Sequence, residues 1–390
     1  MTIHTGPARV GVDSLRPAWA EVDLGAIRAN AALLSNLVAP AELCAVVKAW
    51  GYGHGPVEVA EAALEGGATW LAVALVEEGA QLRAAGIDAP ILLLSEPSLD
   101  AMGEVVRARL TATVYTAAGI EALGQAAIVH GRRSDPIAVH LKVDTGMHRV
   151  GASPDVALTL ARSVVAYRAL ALEGLWTHFA VADETEHEAT GNQLALFRAT
   201  AERLAEDGIE PRLLHAANSA GALFHPASRL DLVRCGIALY GLAPAADLID
   251  RTPCTALQPA LSLAAHVSHT KTVAAGERLS YGLRYLVTTP SVVATIPLGY
   301  ADGVTRRLSS TGGQVLIGGR RYPIAGTVTM DQILVDCGPG SDVAAGDTAV
   351  LLGRQGDDAI TAWEWAGRVD TIAYEVVCGV TSRVPRVYRP

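Results

Sequence analysis

The sequence lacks any run of lysine or arginine, and its 40 acidic side chains outnumber 31 basic ones, for a net charge of -9. That balance offers no electrostatic footprint to a nucleic-acid backbone or an anionic membrane. Metal-ligand spacing is missing as well. The five cysteines (Cys44, Cys235, Cys254, Cys337 and Cys378) are odd in number and scattered, with no CxxC pair or Cys/His cluster. They fit reduced thiols in a cytoplasm better than a disulfide framework. No apolar run approaches membrane-spanning length. Residues 1–16, MTIHTGPARVGVDSLR, have no continuous apolar core, so they read as a loose leader and not as a secretory signal. Neither an internal repeat nor a low-complexity linker is visible. The expected partner is a small molecule.

What is present is apolar: 50% hydrophobic residues in 390 are enough for two compact domains. From Glu42 onward, short β-rich runs alternate with amphipathic, alanine-rich ones such as PVEVAEAALEGGA, VEEGAQLRAAGI and NQLALFRATAERLAEDGI. The β-rich runs are ELCAVVK, TWLAVAL, PILLLSE, LTATVYT, PIAVHLKVD, LALEGLWTHF, PRLLHAAN and LDLVRCGIALYG. Eight such βα units match an α/β fold of the closed (β/α)8 TIM type, over residues 17–253, better than a doubly wound sheet. After Pro253, alternating strands and glycine turns such as GGQVLIGGRRYPIAG take over and helical periodicity nearly disappears, so residues 254–390 read as a mainly-β domain. PAWAEVDL, residues 17–24, is a strand outside the eight that could pair with that domain's sheet.

A barrel of this kind carries its site at the C-terminal ends of its strands. The polar residues there are Lys48, Arg149, His178, Asn218, Ser219 and Arg234. Lys48, in AVVKAWGYGHG, is either a solvated strand end or an amine nucleophile. A lysine at this place can form a Schiff base with an aldehyde cofactor, of which pyridoxal 5'-phosphate is the common one. Asn218 and Ser219 of HAANSAG stand at an expected helix start that suits a phosphate, and RCGIALYG adds the backbone amides of Gly236 and Ile237. The competing reading is that Ser219 caps a helix and Gly236 relieves packing. Arg234 interrupts an apolar strand, where it serves either an outward ion pair or an inward acceptor. In HLKVDTGMHRVG, Asp144 fits plain turn chemistry, while Lys142 near Arg149 implies an anionic neighbour or a modified lysine.

Taken together, AVVKAWGYGHG, HLKVDTGMHRVG, THFAVADE, HAANSAG, VRCGIALYG, ERLSYG, IPLGYADG, TMDQ and YEVVCGVTSRVPR resemble the alanine racemase family of fold-type III pyridoxal-phosphate enzymes. The resemblance runs from about Pro17 to Tyr388, with the motifs in the family's order. It implies that Lys48 holds the cofactor, that Tyr52, Ser219, Gly236, Ile237 and Tyr374 hold its phosphate, and that Arg149 meets its phenolic oxygen and the substrate carboxylate. It places Arg234 at the ring nitrogen and His178 between Arg234 and a catalytic tyrosine, matched by Tyr281. Tyr281, with Tyr300, Met330 and Asp331, would come from the partner in a head-to-tail homodimer. Lys142 matches a position often carbamylated in the family.

Three positions depart from the family's pattern. Trp50 replaces asparagine or aspartate, His148 a common glycine, and Thr327 an arginine found in many relatives at the entrance corridor, although the matching Arg306 and Asp183 are present. Alanine is the expected substrate. The competing readings are a racemase of another small amino acid such as serine, or a decarboxylase of the same fold type, which would need an acid where Arg234 stands.

Overall fold

A computed structural model describes residues 15–132 and 134–390. Apart from Leu15 and Arg16, the leader expected over residues 1–16 lies outside the described residues. The described residues divide into two compact units, one of residues 27–51 and 56–257, the other of residues 15–26, 52–55 and 258–390.

The first unit is an eight-stranded parallel barrel. Its strands are β2 (Glu42–Val46), β3 (Trp70–Val73), β4 (Ile91–Leu93), β5 (Ala112–Val114), β6 (Ile137–Lys142), β7 (Leu170–Trp176), β8 (Leu213–His215) and β9 (Leu232–Cys235). The strand β1 (Ala18–Asp23) precedes them and belongs to the other unit. These runs are valine-, leucine- and alanine-rich because parallel strands covered by helices are buried on both faces. β9 pairs in parallel with β2, Glu42 opposite Leu232, and backbone bonds across Leu93–Thr111 and Arg234–Ala217 join β4 to β5 and β8 to β9, which closes the ring. The amphipathic stretches become the helices Pro56–Glu65, Val76–Ala84 and Ala189–Glu206. Proline opens the first of them, where its missing N–H costs nothing, and Val59, Ala60, Ala62 and Ala63 form its buried face.

Strand alternation puts His140 and Lys142 of β6, Trp176 of β7, His215 of β8 and Arg234 of β9 among the buried residues. Gly174 admits the His140 ring: a Cβ there would sit 2.6 Å from Nδ1.

In the second unit, β1 (Ala18–Asp23) lies inside a seven-stranded sheet. It is antiparallel to β10 (Leu261–His266) on one side and parallel to the strand Arg386–Arg389 on the other. Thr348–Gln355, Gln314–Ile317 and Arg320–Pro323 continue the sheet beyond β10. A three-stranded sheet joins His269–Val273, Ser291–Ile296 and Ile333–Asp336. Two short helices, Ala362–Val369 and Ala373–Cys378, depart from the helix-poor expectation for this region. The first is announced by Thr361-x-x-Glu364, whose threonine Oγ1 accepts the Glu364 N–H at 2.9 Å.

Candidate active site

Strand β2 stops at Val46, and Lys48 opens a turn in which Ala49, Trp50, Gly51 and Tyr52 have φ of 53°, 57°, 61° and 50°. For residues other than glycine this left-handed conformation costs about 1–2 kcal/mol each, so something must hold the turn. Glu78 holds it. Its Oε1 accepts the Ala49 N–H at 2.7 Å, while Oε2 accepts the N–H groups of Ala74 and Leu75 at 2.8 and 3.1 Å. One carboxylate thereby caps the helix Val76–Ala84 and braces the segment that presents Lys48. Trp50 is 39% exposed.

Four cations gather at this end of the barrel. Lys142 Nζ lies 4.2 Å from the centre of the Trp176 ring and the Arg234 guanidinium 4.6 Å from it, so one indole is a platform for two charges. Burial first, then Arg234, Arg149 and Lys48, push the Lys142 amine down to about 7. Asp144 acts in the other direction, but its carboxylate already accepts the N–H groups of Gly146 and His148 at 3.0 Å, which is turn chemistry. Burial, followed by Arg234, Lys142, Arg149 and Lys48, drives the His178 imidazole well below its ordinary value. It is a neutral ring among cations.

Arg234 is buried against neutral acceptors only. Nη2 donates to the carbonyls of Thr177 and Ala216 at 2.8 and 3.0 Å and approaches His178 Nδ1 at 3.4 Å. Nη1 donates to His215 Nδ1 at 2.9 Å. That bond fixes a tautomer chain: a bare Nδ1 leaves the His215 proton on Nε2, which donates to His140 Nδ1 at 2.8 Å, so His140 carries its own proton on Nε2. This nitrogen faces Glu173 Oε2 at 3.5 Å, a contact whose geometry falls short of a hydrogen bond. Burial lowers the Arg234 guanidinium to about 10 and keeps both histidines neutral. Two donors of Arg234, Nε–H and the second N–H of Nη1, have no acceptor among the described residues.

Asn218, not Ser219, caps the helix Ser219–Phe224: its side-chain oxygen accepts the Gly221 N–H at 2.9 Å. Ser219 Oγ instead accepts the N–H groups of Gly236 at 3.0 Å and Ala238 at 3.4 Å, next to Ile237. With both lone pairs engaged, its own O–H is left to donate, and it has no acceptor among the described residues. Spare donors on Ser219 and Arg234, amid four cations, suit an anionic ligand with an unprotonated aromatic nitrogen. Pyridoxal phosphate has both features, so the residues present fit it.

In the second unit, one cleft is lined by Tyr281, Tyr300, Arg306, Thr327, Met330 and Asp331. Tyr281 projects from a turn and is 75% exposed. The Tyr300 turn is tied to the Met330 turn by bonds from Tyr300 N–H to Thr329 O and from Ala301 N–H to Met330 O. Gly299 permits that approach, since a Cβ there would lie 2.3 Å from Thr329 O. The rings of Tyr52 and Tyr374 are 6.4 Å apart in the same unit, and Arg386 fastens the 52–55 loop by donating to Gly53 O.

The structure thus brings Lys48, Lys142, Arg149, His178, Asn218, Ser219, Arg234, Gly236 and Ile237 to one barrel end, and Tyr281, Tyr300, Met330 and Asp331 to one cleft. Sequence reasoning missed Glu78, His140, Trp176 and His215. The i, i+2 spacing of His140 and Lys142, on one strand face, was a usable signal for the second of these.

Residues 22–244 match the family model described as alanine racemase, N-terminal domain, and residues 260–388 the one described as alanine racemase, C-terminal domain. The alanine racemase of Symbiobacterium thermophilum is 47% identical over 97% of this chain and 98% of its own. That of Desulforamulus reducens is 45% identical over 95% and 99%. The crystal structure of alanine racemase from Streptomyces lavendulae superposes with a TM-score of 0.90 at 38% identity, covering 97% of this chain and 98% of that one. Both halves matched, along nearly the full length of these relatives and around a site whose donors suit the cofactor, support a racemase over a decarboxylase: the chain belongs to the alanine racemase family.

Proposed function

We propose that the protein interconverts L- and D-alanine with pyridoxal 5'-phosphate carried by Lys48, and that Tyr281 of a second subunit supplies the other base. The observation that carries this reading is the barrel end, where four cations surround a neutral His178 and two buried side chains, Ser219 and Arg234, are left with bonds to give. When bound, the cofactor supplies an electron-withdrawing ring that acidifies the α C–H of an attached amino acid. Ser219, Gly236, Ile237, Tyr52 and Tyr374 would hold its phosphate, with Asn218 fixing the Ser219 helix. Arg149 would bind the phenolic oxygen and orient the substrate carboxylate. Arg234 would donate to the ring nitrogen, and a guanidinium that keeps its proton at neutral pH leaves that nitrogen unprotonated.

Inverting a carbon centre requires a proton to leave one face and another to arrive at the opposite face. Lys48 Nζ would serve one face and Tyr281 Oη the other, with Tyr300, Met330 and Asp331 shaping the space for a small amino acid. Two subunits arranged head to tail in the cytoplasm would complete each other's sites. Lys142, brought down to about 7 and so partly unprotonated at neutral pH, would add through its neutral amine to carbon dioxide, releasing one proton and forming a carbamate anion that orients Arg149. The test is incubation of the purified enzyme and cofactor with L-alanine in deuterium oxide, followed by proton NMR and chiral chromatography. Loss of the α-proton signal together with D-alanine is expected. A retained signal, or release of carbon dioxide, would overturn the reading.

A further inference from the structure

We infer that Thr327 is the positioning residue for Tyr281, fixing the backbone from which the phenol projects. The inference rests on the reading of Tyr281 as a catalytic base. Tyr281 is mostly exposed, so packing of its own ring does not set its direction within this unit. Its backbone does. Ser280 sits at φ 62° and Leu283 at φ 49°, conformations that side-chain-bearing residues adopt only when held.

The hold is reciprocal. Thr327 Oγ1 donates to Tyr281 O at 2.9 Å, and Ser280 Oγ donates to Thr327 O at 2.7 Å. Gly326, at φ 86°, allows the two segments to approach: a Cβ there would stand 2.7 Å from Ser280 Cβ. The platform beneath is fixed independently of these hydroxyls. Leu279 and Ala325, each just ahead of its half of the staple, pack in one apolar cluster with Val287 and Val293, and Val328 N–H donates to Ser309 Oγ at 2.7 Å. Thr327 itself is buried, so its hydroxyl faces little competition from water. A longer side chain such as arginine at this position could not make the same short bond from Cβ.

The full-length enzyme with its cofactor tests this through Thr327→Val, which removes the hydroxyl and keeps the branched shape, Thr327→Ser, which keeps the hydroxyl, and Tyr281→Phe as reference. Losing one net hydrogen bond should raise hydrogen exchange across residues 279–286, and lower kcat, by roughly 3- to 10-fold in Thr327→Val. KM should hold steady. The α-deuterium isotope effect should rise only in the reaction direction in which Tyr281 takes the proton. Thr327→Ser should restore all of these. Wild-type rates and isotope effects in Thr327→Val, or equal damage in the valine and serine variants, would overturn the inference, the latter by marking a packing role. If Tyr281→Phe racemises normally, the reading of Tyr281 fails; if it is inactive while Thr327→Val is normal, only the role of Thr327 fails.

Discussion

Removing the Ser219 hydroxyl should damage the scaffold and the cofactor site by separable amounts. In Ser219→Ala, the N–H groups of Gly236 and Ala238 lose their shared acceptor inside a buried turn. An unsatisfied buried donor costs about 1–3 kcal/mol, and the 3.4 Å bond from Ala238 belongs at the low end, so the cofactor-free protein should lose about 2–4 kcal/mol. That is a large part of the 5–15 kcal/mol typical of a folded domain, and it should appear as a clear fall in the thermal midpoint. Separately, the serine O–H would make a charge-assisted bond to phosphate, worth about 1.5–3 kcal/mol, or roughly 10- to 150-fold in the dissociation constant of pyridoxal phosphate. Differential scanning calorimetry without cofactor and equilibrium titration with it read the two effects apart. Unchanged stability would refute Ser219 as the acceptor of two amides. Lowered stability with unchanged affinity would confine it to the scaffold.

Glu78→Ala should release the left-handed turn. Hydrogen exchange at Ala49 should accelerate and kcat fall about 10-fold or more, as expected when a reacting group loses its fixed geometry, with Glu78→Gln intermediate because its single oxygen cannot serve both the turn and the helix start. Unaltered exchange at Ala49 would count against the brace. Lys142 should titrate in CO2-free buffer near pH 7. Because an unfolded lysine keeps its proton to about pH 10.5, the unfolded state binds more protons between these values, and stability should rise with pH across that window. Lys142→Met should flatten the slope. At fixed pressure of 13C-labelled carbon dioxide, a carbamate resonance should grow as pH rises through about 7 and vanish in Lys142→Arg; no resonance at any pH would remove the modification.

The barrel was legible because its signal is local: buried parallel strands write continuous apolar runs, and a period of two tells which residues share a face. The strand-end residues followed from that pattern. The turn at Lys48 was not legible. Glycines at 51, 53 and 55 advertise positive φ, but nothing local predicts it for Ala49 and Trp50, whose strain is enforced by a carboxylate 29 residues away in sequence. One compositional signal went unused: the chain has only three lysines, Lys48, Lys142 and Lys271, and two of them end up at the same barrel mouth. His215 and His140 were missed for a different reason. Within their strands they resemble ordinary polar interruptions, and their meaning depends on Arg234, which neither sequence neighbour reveals. A guanidinium buried without an acid is costly, and removing an acceptor from it is costlier. The two imidazoles satisfy one of its donors while adding no negative charge, so the mouth of the barrel stays net positive. That residual charge destabilises the protein alone and is offset when an anion binds.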